Sequence, residues 1–187
     1  MYDYLSENGV VFSTGSNDSS LQVNSSAYTQ LVDAESVKLK NAFFAVFIHG
    51  LVDRFVPGAV IKKGKSESVY WTSDDFFMKV LCAWAAKGGN RGILLLSCYA
   101  GCQLTAPLAK RIRLPIVAPR SAVTVMSTGE IECQKMSDKS PNTMNNTVAK
   151  AYLDWNFVSP SGQQQIVSGG QLNKSAAITF VKRYRTL

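Results

Sequence analysis

Among 187 residues there is a single histidine, His49, and it stands at the end of the apolar run Phe43-Phe44-Ala45-Val46-Phe47-Ile48, directly before Gly50. A second apolar run, Ile93-Leu94-Leu95-Leu96, ends in Ser97-Cys98-Tyr99-Ala100-Gly101, so a thiol is released at a strand end just as the imidazole is. Two buried parallel strands that each deliver a reactive side chain at their carboxyl edge predict a site there, where open α/β sheets bind ligands. The chemistry predicted by such a pair is nucleophilic: a cysteine thiolate attacks an electrophilic carbon and the histidine moves the proton.

The neighbours of the pair extend the reading. Gly50 has no Cβ to keep a backbone amide from a substrate, so the amides of Gly50 and Cys98 are the candidate oxyanion hole. Asp53, Ser97 and Asp75 are candidates for orienting groups or a pocket acid; for the two aspartates, solvation or helix capping is the competing role. Cys102, four residues after Cys98, falls on one helical face with it, as a resolving thiol or as packing. Cys82 reads as core, inside an amphipathic helix.

The elements that must hold these residues follow from periodicity. After His49 comes a loop with Asp53, Arg54, Pro57 and Gly58, then a hairpin through Val60-Ile61 and Val69-Tyr70-Trp71 that turns at Lys63-Gly64-Lys65. Ser73-Asp74-Asp75 opens a helix carrying Phe76, Phe77, Val80, Leu81 and Trp84 at helical spacing, and Gly88-Gly89 ends it. Strand, helix and strand from Phe43 to Leu96 predict a right-handed crossover that makes the His49 and Cys98 strands parallel neighbours. Leu104 to Ile112 is predicted as a helix with Pro107 in its first turn, and Leu114 to Pro119 as the next strand. A second hairpin joins Ala122-Val123-Thr124-Val125-Met126 to Ile131-Glu132-Cys133. Beyond it the pattern predicts a polar loop to about Asn145, a helix from Val148 to Trp155, a loop from Ser159 to Gly170 and a last strand from Ala176 to Val181. The first 41 residues are polar apart from a short strand at Val10-Val11-Phe12, with a Ser13–Ser20 loop after it, and the core is expected to begin near Ala42.

Composition sets limits. A hydrophobic share of 46% in 187 residues is enough for one substantial core, so a single domain is expected. The net charge of +7 is spread over short strips, Lys62-Lys63-Gly64-Lys65, Lys110-Arg111-Ile112-Arg113 and Lys182-Arg183-Tyr184-Arg185. None is interleaved with several aromatics, which argues against a nucleic-acid platform and leaves no DNA among the expected partners. No run is long enough for a membrane span, and the polar start lacks a Sec-type signal. Four cysteines at irregular spacings do not form a disulfide framework, and with one histidine they do not form a metal site.

The order strand-His49-Gly50, helical crossover, strand-Ser97-Cys98-Tyr99-Ala100-Gly101 resembles the caspase-like fold of clan CD cysteine peptidases, in which His-Gly follows one strand and Cys the next. In papain-like enzymes and transglutaminases the cysteine precedes the histidine. The run Leu104-Thr105-Ala106-Pro107-Leu108-Ala109-Lys110, then Leu114 to Pro119, a strand and Gly129, is further similar to caspase-like domains at the ends of bacterial polymorphic toxins and secreted effectors. Those are similar in turn to the self-cleaving domains of large clostridial and RTX toxins. The likeness covers roughly Ala42 to Ile131, about half the chain. Where caspases carry Gln-Ala-Cys-Arg-Gly, this chain has Ser97-Cys98-Tyr99, and no substrate-recognition loop is recognisable.

The resemblance implies an α/β fold of caspase-like type, a three-layer sandwich with a mostly parallel central sheet flanked by helices, plus β-hairpins. Residues 42–131 would be its catalytic core, 1–41 a polar amino-terminal segment and 132–187 a helix and strand extension. It implies a cysteine endopeptidase without cofactor or metal, in which Cys98 forms a thioester and His49 protonates the leaving amine, then activates water. The implied partners are a protein or peptide substrate, an immunity protein or chaperone, and an anionic activator on the basic strips. The implied route is residence in the bacterial cytoplasm before export, then secretion or delivery into a target cell. Two other classes stay open. Ile48-His49-Gly50 with Gly129-Glu130-Ile131-Glu132 and Ser127-Thr128 also resembles the diphtheria-type ADP-ribosyltransferases, and a caspase-like scaffold can serve as a catalytically inactive binding module.

Overall fold

Residues 43–47 and 92–96 are apolar on both alternating faces, a pattern that suits strands covered from two sides. The computed structural model describes residues 4–5, 9–12, 39, 42–87, 89–126, 128–134 and 153–185, and in it both runs are neighbouring central strands. Among the described residues the main sheet has the order β1 (Tyr4–Leu5), β2 (Gly9–Val11), β3 (Phe43–Phe47), β7 (Gly92–Leu96), β8 (Ile116–Pro119), β11 (Asp154–Val158) and β12 (Gln164–Ser168). β2, β3, β7 and β8 run parallel; β1 closes one edge antiparallel, and β11 and β12 close the other. A three-stranded antiparallel sheet of β4 (His49–Gly50), β5 (Phe55–Lys62) and β6 (Lys65–Trp71) stands beside it, as does the hairpin of β9 (Ala122–Val125) and β10 (Ile131–Gln134).

Alternation along the central strands sorts the core into two layers. Phe44, Val46, Ile48, Ile93, Leu95, Ile116 and Ala118 face one side, against Phe76, Leu81, Leu104 and Leu108. Phe43, Ala45, Phe47, Leu94, Leu96, Val117 and Phe157 face the other, against Ile131, Leu172, Ala177, Phe180 and Val181. The first layer is covered by α1 (Ser73–Phe76), a π turn at Phe77–Leu81, α2 (Cys82–Ala86), α3 (Ala100–Gln103) and α4 (Thr105–Ile112). The second is covered by β10 and α5 (Lys174–Lys182). This is an α/β fold with helices on both faces of a largely parallel sheet. No helix among the described residues is long and apolar enough to cross a membrane.

Local chemistry explains the boundaries. The β5–β6 hairpin turns on Lys63 and Gly64 with φ of 48° and 75°, the pair of positive values a type I′ turn requires. The N-cap of α1 is Thr72, one residue before the predicted start: its side chain accepts the Asp75 N–H, and the Asp75 carboxylate accepts the Thr72 N–H at 3.0 Å. The Ser73 hydroxyl donates instead to the Leu104 carbonyl at 3.0 Å, tying α1 to the junction of α3 and α4. Pro107 is the third residue of α4, where no intrahelical amide is lost.

The carboxy-terminal expectations need correction. The helix predicted for Val148 to Trp155 is contradicted where it can be seen, because Asp154–Val158 is a strand between β8 and β12; residues 148–152 lie outside the described residues. Trp155, Asn156, Phe157 and Val158 are buried in succession, which a two-sided central strand demands and a helix face does not. The loop predicted from Ser159 to Gly170 contains β12, an exposed edge strand held by main-chain pairing. The strand predicted at Ala176 to Val181 is helix α5: Asn173 caps the Ala176 N–H at 2.9 Å, and Ala177, Phe180 and Val181 bury one helical face. The core also starts earlier than Ala42, since Val10, Val11, Phe12 and Leu39 are buried. The predicted Ser13–Ser20 loop and the polar loop to Asn145 lie outside the described residues.

The reciprocal cap makes a measurable contribution. Thr72→Ala removes it and is expected to lower unfolding stability by about 1 kcal/mol in urea denaturation; an unchanged midpoint would show the cap to be idle.

Candidate active site

Register decides which residues share the carboxyl edge. Phe47 is level with Leu96 in the parallel β3/β7 pair, and both face the layer of Phe180. Two residues beyond those ends come His49, already in β4, and Cys98, in the turn after β7. The Phe47 and His49 rings stand edge to face with centroids 6.4 Å apart. β3 does not continue as one strand: the Ile48 N–H donates to the Leu96 carbonyl at 3.3 Å, and His49 and Gly50 then pair antiparallel with Val56 and Phe55 of β5. The Leu51 N–H donates to Arg54 at 2.9 Å, which makes Gly50 and Phe55 the non-hydrogen-bonded pair and turns the Gly50 amide away from β5.

Gly50 lies directly against the cysteine turn. A Cβ placed there would overlap the Ser97 hydroxyl and come within 2.5 Å of the Cys98 carbonyl oxygen. The glycine is thus required here by the Ser97 hydroxyl and the Cys98 carbonyl. The Ser97 side chain is 1% exposed, and among the described residues its hydroxyl has no hydrogen-bond partner. Tyr99, at φ 61°, takes the left-handed conformation that a β-turn-like exit from β7 needs, and its N–H donates to the Ser121 carbonyl at 3.0 Å. Burial pushes the Tyr99 phenol up to about 12.

The Cys98 sulfur faces β9. The Val123 N–H points at it from 3.5 Å, and burial raises the thiol well above its ordinary value, more than that N–H and its own amide lower it. In the folded protein Cys98 is therefore a neutral thiol at neutral pH. Cys102 and Cys133 are shifted the same way by burial, Cys133 to about 11. They take local backbone partners, the Arg120 carbonyl at 3.3 Å and the Asp154 carbonyl at 3.5 Å. All four cysteines are free thiols, and Cys82 is half-buried on α2 rather than in the core. Beside them Arg120 meets the Asp154 carboxylate at 3.3 Å, both side chains mostly buried.

The aspartates go elsewhere. Asp53 is engaged by Arg54 through two bonds of 2.8 and 2.6 Å, which holds its carboxyl below the usual range. It lines a cavity of about 390 Å³ with Ser73, Gln103, Pro107 and Arg111. The orienting role expected of Asp75 is taken over by helix capping, with its carboxylate held by the Thr72 N–H and hydroxyl at 3.0 Å each. Glu130 is exposed and accepts from the Thr128 hydroxyl at 3.3 Å, while Glu132 lies within β10 opposite Thr124. Among the described residues no group of histidine, cysteine and carboxylate side chains is arranged to hold a metal.

Sequence reasoning missed Val123, Ser121 and Tyr99. Their part at this edge is played by main-chain groups, and side-chain type carries no signal for that. Comparison with known proteins found no matching family model, no matching curated protein and no matching solved structure.

Two outcomes follow from this geometry. Gly50→Ala should cost about 1–3 kcal/mol of stability through overpacking, and adding Ser97→Gly should recover part of it in thermal unfolding. Because burial raises the Cys98 thiol, iodoacetamide should label it slowly at neutral pH, with a rate that keeps climbing as pH passes the ordinary thiol value of 9.0. Labelling at pH 7 faster than that of the denatured chain would contradict the neutral resting thiol.

Proposed function

We propose that this chain is a cysteine peptidase on a caspase-like α/β domain, with Cys98 as nucleophile and His49 as proton carrier. The observation that supports it is that the parallel strands β3 and β7, level at Phe47 and Leu96, each end within two residues of the chain's only histidine and of Cys98. The neutral Cys98 thiol would give its proton to the His49 imidazole as its sulfur attacks the scissile carbonyl, and the Gly50 and Cys98 amides would receive the developing oxyanion. Collapse of that adduct breaks the C–N bond, His49 gives its proton to the leaving amine, and water activated by the neutral imidazole then hydrolyses the thioester.

The substrate that suits this edge is an extended peptide. Cys133 N–H and the Ile131 carbonyl bond outward to Gly170 and Leu172, so the β9–β10 bonds run through Thr124 and Ala122. The peptide groups of Val123 and Val125 therefore point to the other side of β9, toward Cys98. Among the described residues β9 pairs with β10 alone, and an incoming strand would find main-chain partners there. Origin in a bacterial effector or toxin, and an immunity or chaperone partner, belong to this proposal on the sequence resemblance alone.

The test is cleavage of a mixed peptide library followed by mass spectrometry, with a peptidyl vinyl sulfone to trap the nucleophile. His49→Ala should lower turnover by about 10²- to 10⁴-fold, Cys98→Ala should abolish both turnover and adduct, and Val123→Pro should raise KM more than it lowers kcat. Turnover that survives Cys98→Ala, or NAD consumption in its place, would sink the reading.

A further inference from the structure

The β5–β6 hairpin is longer than the site requires. Its root is buried through Phe55 and Trp71, but residues 60–68 are exposed without interruption along both strands and the turn. A two-stranded arm with no covered face makes little contribution to the fold. Its composition is specific. Ile61 is 80% exposed and Val60 42%, two consecutive aliphatic residues that point to opposite faces. Beside them Lys62 and Lys65 are directly opposed across the strands with Lys63 in the turn between, and like charges placed so are unfavourable in isolation. Among the described residues only Lys62 has an acidic neighbour, Glu67 at 3.4 Å.

We propose that this tip docks on an anionic lipid bilayer, with Ile61 and Val60 entering the interfacial region and Lys62, Lys63 and Lys65 against the headgroups. Two arguments favour a bilayer over an acidic protein. A hairpin tip offers far less area than the roughly 1,000 Å² of a specific protein interface. Membrane attraction, by contrast, accumulates residue by residue, about fivefold in partition for each lysine near an anionic surface, so three lysines supply about a hundredfold. Aliphatic groups flanked by lysines whose stems can lie along the acyl boundary match that interface. Reach fits as well: Ile61 is five residues along β5 from Val56, the partner of His49, or about 17 Å at ~3.4 Å per residue. The tip can touch a surface without the catalytic edge entering it, so the inference stands whether or not the peptidase reading does.

The experiment is co-sedimentation of the intact chain with phosphatidylcholine vesicles, with and without about 30 mol% phosphatidylserine, at low and high salt. Binding should require phosphatidylserine, weaken sharply as salt rises, fall about a hundredfold in the K62A/K63A/K65A variant and about tenfold in Ile61→Ser. Every substitution is at an exposed position, and circular dichroism checks that the fold is kept. Wild-type protein that ignores phosphatidylserine overturns the proposal. So does an Ile61→Ser variant that binds as wild type while polyglutamate competes, an outcome that assigns the lysines to an acidic protein.

Discussion

The parallel pairing of β3 with β7 is the constraint on which the rest of this molecule depends. Both strands are buried on both faces, so every side chain is committed to one of two apolar layers and a slip of one residue would exchange the layers throughout. That same commitment fixes what happens where the apolar runs stop. Level ends at Phe47 and Leu96 bring the residues that follow, His49-Gly50 and Ser97-Cys98, to one edge of the sheet.

The second constraint is space. The chain turns out of the central sheet at His49 and must pass over the cysteine turn at a distance only a glycine allows. The hydroxyl of Ser97 is buried below it, without a hydrogen-bond partner among the described residues, an arrangement that costs about 1–3 kcal/mol. The neutral Cys98 thiol has the same origin. Burial that seals this edge also removes the water that would stabilise a thiolate, and the Val123 N–H at 3.5 Å is too weak to replace it. Stability of the edge and reactivity of the sulfur oppose each other.

Strand edges are treated differently around the molecule. β12 is a short exposed edge strand, five residues long, with Gln164 held by the Asn156 side chain. β9 turns the Val123 N–H to Cys98, and among the described residues its only strand partner is β10. β5 serves two places at once: its first residues pair with His49 and Gly50, and its last carry Ile61 and Lys62 into solvent. Pro57 and the register shift between Phe55 and Gly58 separate those halves, the usual place for proline in a strand being an edge or a bulge.

The amino-acid sequence by itself determined the centre of the fold and the identity of the candidate pair. The two apolar runs, flanked by turn signals, suit strands covered on both faces, and the helical spacing from Phe76 to Trp84 between them makes the crossover that sets them parallel. Lys63-Gly64 and Thr128-Gly129 marked their hairpins because turn geometry is local. The sequence did not reveal β11, β12 or α5: Trp155 to Val158 and Ala177 to Val181 are short apolar stretches whose form is set by what they cover, β8 on one side and the Phe180 layer on the other. Only the tertiary structure decided that Asp75 caps a helix, that Asp53 is held by Arg54, and that main-chain groups of Val123 and Ser121 reach the cysteine turn. The physical reason is the range of the forces: periodicity and turn preference act over a few neighbouring residues, whereas desolvation and main-chain contacts at an edge depend on segments far apart in the chain.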